Sequence, residues 1–131
     1  MKLRGLVPML ETADLRESIK YYTDILGFEC QGVYPESGEP CWASLTKDKI
    51  VIMLTIRNTK SNIENPTMTG TLYLYPDNVD QAWEELKDKA EVSYEIEDFE
   101  YGMREFGIID PNGYLLQFGQ DVEEVKEYER K

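Results

Sequence analysis

The apolar positions of this chain recur with two periods, and their alternation divides it into halves of the same order. From Asp14 onward, Leu15, Ile19, Tyr22 and Ile25 or Leu26 return every three or four positions, which marks one face of a helix. Asp14 with Glu17 makes a capping box and Gly27 supplies a left-handed stop, so a helix is predicted over 15–26. Before it, residues 3–11 (LRGLVPMLE) read as a strand. Pro8 has no N–H to donate, which puts an edge or an irregularity there. After the helix come strands Phe28–Tyr34, Cys41–Thr46 and Ile50–Ile56, separated by the loop 35–40 and the turn Lys47-Asp48-Lys49. In the last of these Val51, Met53 and Thr55 point one way and Ile50, Ile52 and Leu54 the other, which predicts a strand covered on both faces.

The stretch 57–69 (RNTKSNIENPTMT) is polar, contains a proline and has no period, so it reads as a linker. Beyond it the order repeats. Gly70–Tyr75 is a predicted strand. Asn78–Ala90 is a predicted helix with Val79, Ala82, Trp83 and Leu86 on its inner face, and Glu91–Ile96 is another strand. Two central strands, Phe106–Ile109 and Tyr114–Phe118, then flank Asp110-Pro111-Asn112-Gly113, a tight-turn signal in which Pro presets φ and Asn and Gly accept the angles that close a hairpin. The tail 120–131 carries Val122, Val125 and Tyr128 at helical spacing and is expected to dock as a short helix. Each half therefore reads strand, helix, three strands, an internal repeat visible in element order and not in residue identity.

Length and charge narrow the function. At 131 residues the chain can bury one core without disulfides or metal. Its formal net charge is -12, from 26 acidic and 14 basic residues. Nucleic-acid binding needs a basic footprint, so that class is set aside, and an acidic surface also repels anionic lipid. Where carboxylates line a cleft, the same charge attracts cationic ligands. No apolar run reaches membrane-spanning length and the N-terminus lacks the pattern of a secretory leader, so a cytoplasmic protein is expected. If the loop 35–40 joins a hairpin, Cys30 faces roughly position 45 and not Cys41, which predicts two free thiols.

There is no histidine, so neither a Ser-His nor a Cys-His pair can be built. No Gly-rich phosphate loop is present either. Glu11, Glu95 and Glu105 remain candidates for acid-base work, with a solvated or salt-bridged carboxylate the expectation for each.

Three stretches together carry a resemblance: Pro8 followed by Asp14, Tyr22 and Leu26-Gly27-Phe28; the Cys41-Trp42-Ala43 strand; and Gly102-Met103-Arg104-Glu105-Phe106 leading into Asp110-Pro111-Asn112-Gly113. With the doubled unit they resemble the vicinal oxygen chelate (VOC) superfamily, and within it the glyoxalase/bleomycin resistance branch. The resemblance implies an α+β fold of tandem βαβββ modules forming a U-shaped mixed sheet with a cleft, as in the glyoxalase/bleomycin resistance/dihydroxybiphenyl dioxygenase fold. The whole of 1–131 would be a single VOC domain, with modules 3–56 and 70–119 about the linker 57–69 and a tail 120–131. In the superfamily's enzymes the cleft holds a divalent metal, and the equivalent positions here are Val7, Met53, Thr71 and Gln117, of which only Gln117 is a ligand type. No metal or other cofactor is therefore expected.

The cleft floor becomes a packing surface for a ligand instead. Trp42 and Met53 in the first half, and Tyr73 and Gln117 in the second, are the candidate contacts, with Phe99, Tyr101 and Met103 as a rim on the loop before the last hairpin. Glu95, Glu97, Asp98 and Glu100, interleaved with Tyr94, Phe99 and Tyr101, suit a cationic, ring-bearing molecule. The resemblance thus implies a non-catalytic binding protein of the bleomycin-resistance type. It would sequester a small molecule, a cationic antibiotic among the candidates, as a homodimer. Two other readings stay open: a metal-dependent glyoxalase- or dioxygenase-like enzyme of the same superfamily, and a protein-interaction module with a closed cleft.

Overall fold

Two segments of the chain fold in the same order. In the computed structural model the described residues are 1–56 and 65–130, and they divide into one unit over Met1–Thr67 and another over Met68–Lys131. Residues 57–64 of the expected linker lie outside the described residues.

The first unit runs β1 (Met9–Thr12), α1 (Leu15–Lys20), β2 (Glu29–Tyr34), β3 (Trp42–Lys47) and β4 (Ile50–Ile56). Its sheet has the order β1-β4-β3-β2, with β1 parallel to β4 and the other pairs antiparallel. The second unit repeats this with β5 (Leu72–Leu74), α2 (Val79–Leu86), β6 (Glu91–Asp98), β7 (Met103–Ile109) and β8 (Leu115–Asp121), then adds α3 (Val122–Glu129). Its sheet order is β5-β8-β7-β6, again with one parallel pair, β5 and β8. The repeat and the α+β class therefore stand as expected, and β7 and β8 are the central strands of their sheet.

Local chemistry explains the elements. Asp14 accepts from the Glu17 N–H at 3.1 Å and starts α1. The helix then widens into a π turn, Tyr21–Ile25, where Leu26 N–H reaches back to Tyr21 O. Thr23 sits in this turn with its hydroxyl on the carbonyls of Ile19 (2.9 Å) and Lys20 (3.2 Å), the kind of side-chain competition that loosens a helical ladder. Gly27, at φ 80°, turns the chain so that Phe28 N–H reaches Tyr22 O. Asn78 caps α2 on Gln81 N–H at 3.0 Å. The turn at Asp110 closes with Gly113 N–H on Asp110 O, while the buried Asp110 carboxylate accepts from Asn112 and Tyr114 N–H.

Each core lies between a helix and one face of a sheet. In the first unit it comprises Leu10, Leu15, Tyr22, Phe28, Ala43, Leu45, Ile52 and Leu54. In the second it comprises Val79, Leu86, Phe106, Ile108, Tyr114, Leu116 and Val125. Trp83 of α2 packs on Phe106 with ring centres 5.1 Å apart, and Phe106 stacks on Phe118 at 5.0 Å. Gln120 ties both helices to β8: its carbonyl accepts from Val79 N–H, and its amide donates to Asp77 O and to Glu124 of α3.

Several bounds differ from expectation. The strand expected over 3–11 is only Met9–Thr12, because residues 1–7 have no ladder partner and Pro8 offers β4 only its carbonyl, which accepts from Met53 N–H. Val7 therefore precedes β1 instead of lying on it. The strand expected over 91–96 continues to Asp98, because Asp98 is in register with Arg104 and joined to it at 2.7 Å. Strand β4 is buried at Ile52 and Leu54, on the face that α1 covers, but only half-buried at Val51, Met53 and Thr55. The tail docks through Val125, whereas Tyr128 is left 66% exposed. Cys30 pairs with Leu45 in the β2–β3 register, and both cysteines are free. No helix among the described residues is long and apolar enough to cross a membrane.

Candidate functional site

Strand pleating sends alternate residues of the second sheet to opposite faces. One face, with Phe106, Ile108, Leu116 and Phe118, meets the helices. The other carries a row of four in-register residues, Tyr73 on β5, Gln117 on β8, Gly107 on β7 and Tyr94 on β6. Beside it runs a second row, Gly119, Glu105 and Glu97.

The two glycines let two aromatic rings lie across the sheet. Above Gly107 passes the ring of Tyr94, and a Cβ there would stand 2.8 Å from Tyr94 Cδ1. Above Gly119 passes Tyr73, whose Cζ would be 2.7 Å from a Cβ. Tyr73 thereby reaches from β5 over β8 to the Glu105 carboxylate on β7 and donates its hydroxyl proton to Oε2. Tyr101, on the turn between β6 and β7, donates to the other oxygen, Oε1. Glu105 is 2% exposed. It is neither solvated nor salt-bridged as expected for it: among the described residues no Lys or Arg lies within salt-bridge distance, and phenols satisfy it instead.

A chain of hydrogen bonds runs in from the other side. Thr71 donates to Gln117 Oε1 at 2.6 Å, and Gln117 Nε2 donates to the Tyr94 hydroxyl at 2.8 Å. Around these groups the rings form a band. Tyr94 and Phe99 meet edge to face at 5.8 Å, Phe99 and Tyr101 stack within 9° of parallel, and Tyr73 and Tyr75 sit 5.2 Å apart.

The buried charge shifts its neighbours. Burial, and then the bond to Glu105, push the Tyr73 phenol well above its ordinary range. The bond to Glu105 is the main cause that pushes Tyr101 up to about 12. Tyr94 is raised chiefly by burial, against the lowering effect of the Gln117 amide, and it too feels the Glu105 charge. Because all three are raised, the neutral phenol is the form the fold favours. The resulting stabilisation is complete below the ordinary tyrosine value of 10.0 and, for Tyr101, is lost as pH climbs through about 12. In an alkaline titration followed by tyrosinate absorbance, Tyr73, Tyr94 and Tyr101 are expected to ionise late, and Glu105→Gln should bring Tyr101 back toward 10. A titration curve unchanged in that variant would show that Glu105 does not hold the phenols.

The sequence-derived candidates fall on both sheets. Tyr73, Gln117, Phe99 and Tyr101 are brought together in the second unit, around Glu105. Met103 is not on a loop but opens β7, paired with Asp121, because its backbone already accepts from Phe99 N–H. Trp42 and Met53 lie together on the half-buried face of the first sheet, Trp42 opposite Thr55 and Met53 opposite Ser44. Glu95 and Glu97 are exposed on strand β6, not on a loop, and Asp98 is engaged by Arg104, which also holds Asp80 and Glu129. The Arg104 guanidinium lowers the Asp98 carboxyl. Sequence reasoning missed the roles of Glu105, Gly107 and Gly119; an isolated glycine inside a strand pattern is the signal that points to a close approach.

Other hollows lie apart from this face. One of about 260 Å³ opens between α2 and α3, on the helix side of the second sheet, with Asp80, Glu84 and Glu129 on its walls. Another, of about 430 Å³, is bordered by Arg16, Lys20, Cys30 and Glu36 in the first unit. Neither includes Tyr73, Tyr94 or Tyr101.

Residues 7–118 match the family model of the glyoxalase/bleomycin resistance protein/dioxygenase superfamily. The chain belongs to this superfamily. Structural similarity agrees with the match. TioX from Micromonospora sp. ML1 superposes with a TM-score of 0.76 at 17% identity, covering 89% of this chain and 98% of TioX. TnmS3, an antibiotic binding protein from Streptomyces sp. CB03234, gives 0.73 at 18%, covering 92% and 98%. The bleomycin-binding protein of Streptomyces verticillus, complexed with copper(II)-bleomycin, gives 0.66 at 21%, covering 90% and 96%. At these identities the similarity establishes the shared fold. No curated protein matches the sequence.

The superfamily's enzymes imply a divalent ion, and the residues here do not fit one. Val7 has no donor atom, Met53 offers a soft thioether, and Thr71 and Gln117 are already bonded to each other. Among the described residues no group of three or more His, Cys, Asp or Glu side chains is arranged to hold a metal.

Proposed function

We propose that the chain binds an aromatic small molecule carrying positive charge and holds it without chemical change, as a sequestering protein of the bleomycin-resistance type. The observation that carries this reading is the band of rings around Glu105: flat aromatic faces beside a buried carboxylate whose close partners are neutral. The donor set at the superfamily's metal positions supports binding over catalysis, as does the lack of histidine. Antibiotic-binding and bleomycin-binding proteins share the fold. The ligand contacts proposed are Tyr73, Phe99, Tyr101 and Gln117, with Met103 beside them and Tyr94 and Glu105 added. Trp42 and Met53 are proposed as a contact surface on the first sheet. The exposed acids Glu95, Glu97 and Glu100 would draw a cation toward β6. The working form is proposed as a cytoplasmic homodimer of a single domain, 1–131. Exposed Leu3, Leu6 and Met9 near the N-terminus support self-association.

A thermal-shift screen of cationic glycopeptides and aromatic amines, with and without divalent metals, tests the reading. A ligand present at about 100 times its dissociation constant adds about 2.7 kcal/mol to stability and raises the melting temperature accordingly. Shifts with metal absent support sequestration. Shifts that need a divalent metal would favour a metal-dependent enzyme, and none with any compound would reject small-molecule binding in favour of a protein-interaction role.

A further inference from the structure

The Glu105 carboxylate is an uncommon kind of buried charge. Buried anions are ordinarily paired with a cation or a metal, since desolvation costs several kcal/mol per ion before compensation. Among the described residues Oε2 accepts from Tyr73 and Oε1 from Tyr101, and the Tyr94 hydroxyl also acts on the carboxylate; all three are uncharged. Tyr73 and Tyr101 each spend their one proton on the carboxylate, so the side of each oxygen turned away from Glu105 offers lone pairs alone. The site therefore presents acceptors and aromatic faces, a surface that favours N–H donors and disfavours anions.

The two phenols are not equally fixed. Tyr73 is half-buried and spans β8 above Gly119, on a strand paired in register with Gln117. Tyr101 is 62% exposed and stands on the turn Phe99–Gly102, closed by Gly102 N–H on Phe99 O with Gly102 at φ 90°. Removing Tyr73 from the carboxylate means lifting a ring from the sheet. Removing Tyr101 means rotating one exposed side chain off the ring of Phe99.

We propose that Glu105 selects the ligand of this site, taking an N–H of a protonated primary or secondary amine in place of the Tyr101 hydroxyl, which swings aside as a displaceable cover. This rests on the binding function proposed above and adds the group that reads the ligand. The phenol bond has charge on its acceptor alone, whereas an ammonium in contact with a desolvated carboxylate puts charge on both partners and adds an ion pair to the hydrogen bond. A quaternary ammonium has no N–H to offer. It gains only from the ring faces and the more distant charge, so the site discriminates a protonated amine from its trimethylated analogue.

Titration calorimetry with 2-phenylethylamine, its trimethylammonium analogue and 2-phenylethanol tests this on the full chain. The amine is expected to bind at least tenfold more tightly than either analogue. Glu105→Gln should remove that advantage, bringing the amine to within a few-fold of the alcohol, with circular dichroism confirming that the variant folds. Tyr101→Phe removes the competing hydroxyl and keeps the ring, so it should strengthen the amine several-fold. Equal binding of all three probes to the native chain, or an amine affinity untouched by both substitutions, overturns Glu105 as the selector while leaving the binding function standing. Failure of every probe to bind overturns Glu105 as the selector, and only the further absence of any shift in the thermal-shift screen overturns the binding function as well.

Discussion

Phe106→Ala is expected to destabilise the second unit by about 3–5 kcal/mol, the range for deleting a fully enclosed aromatic ring. The residue is 0% exposed and lies between Trp83 of α2, at 5.1 Å, and Phe118 of β8, at 5.0 Å. Neither ring can follow it: Trp83 is anchored on a helix tied to β8 by Gln120, and Phe118 sits on a central strand. A cavity therefore remains, and its cost adds to the lost transfer energy. The chain has two tryptophans, Trp42 in the first unit and Trp83 in the second. Urea denaturation in a Trp42→Phe background then reads Trp83 alone, and a midpoint change worth less than ~1 kcal/mol would remove Phe106 from the core.

The second large effect concerns Gly107 and Gly119. Neither has a positive φ, unlike Gly113 at φ 86°, so an alanine at either site is opposed only by what its methyl meets. At 119 that is the Tyr73 ring and hydroxyl, and at 107 the Tyr94 ring. Overpacking of this kind costs about 1–3 kcal/mol at each site. The functional loss should be greater. Once Tyr73 is pushed off Glu105, the carboxylate keeps one phenol and the aromatic band is broken, so Gly119→Ala is expected to weaken an aromatic amine at least tenfold. A double-mutant cycle checks the cause. Tyr73→Ala should recover part of the stability lost in Gly119→Ala, giving a coupling of about 1 kcal/mol or more. Gly32→Ala, with nothing within 4 Å of the added carbon, is the control expected near zero. Additive losses at 73 and 119 would show that the methyl and the ring do not meet.

Much of the architecture was legible because its causes are local. Asp14 and Asn78 cap their helices through side chains that reach three residues along the chain, and Asp110-Pro111-Asn112-Gly113 closes its turn with its own backbone. Periodicity alone placed Leu15 and Tyr22, or Val79 and Leu86, on buried faces. Element ends were less legible. Asp98 looks like a loop residue until Arg104 is seen opposite it, and residues 3–7 look like strand although they have no ladder partner. In both cases pairing, and not propensity, decides the outcome.

The sequence by itself determined the repeated strand-helix-strand order, the hairpin that supplies the two central strands of the second sheet, and the lack of histidine. Each follows from residue type, spacing or inventory, whereas the metal positions at Val7, Met53, Thr71 and Gln117 come from the family resemblance. Only the tertiary structure decided that Glu105 is an enclosed anion and not one more solvated acid of a strongly acidic chain. Its environment is made by Tyr73, 32 positions away, by the cross-strand register, and by two glycines whose missing side chains open room for rings from other strands. A carboxylate's character depends on which groups the fold brings to it, and that information lies in strand pairing, not in the neighbouring letters.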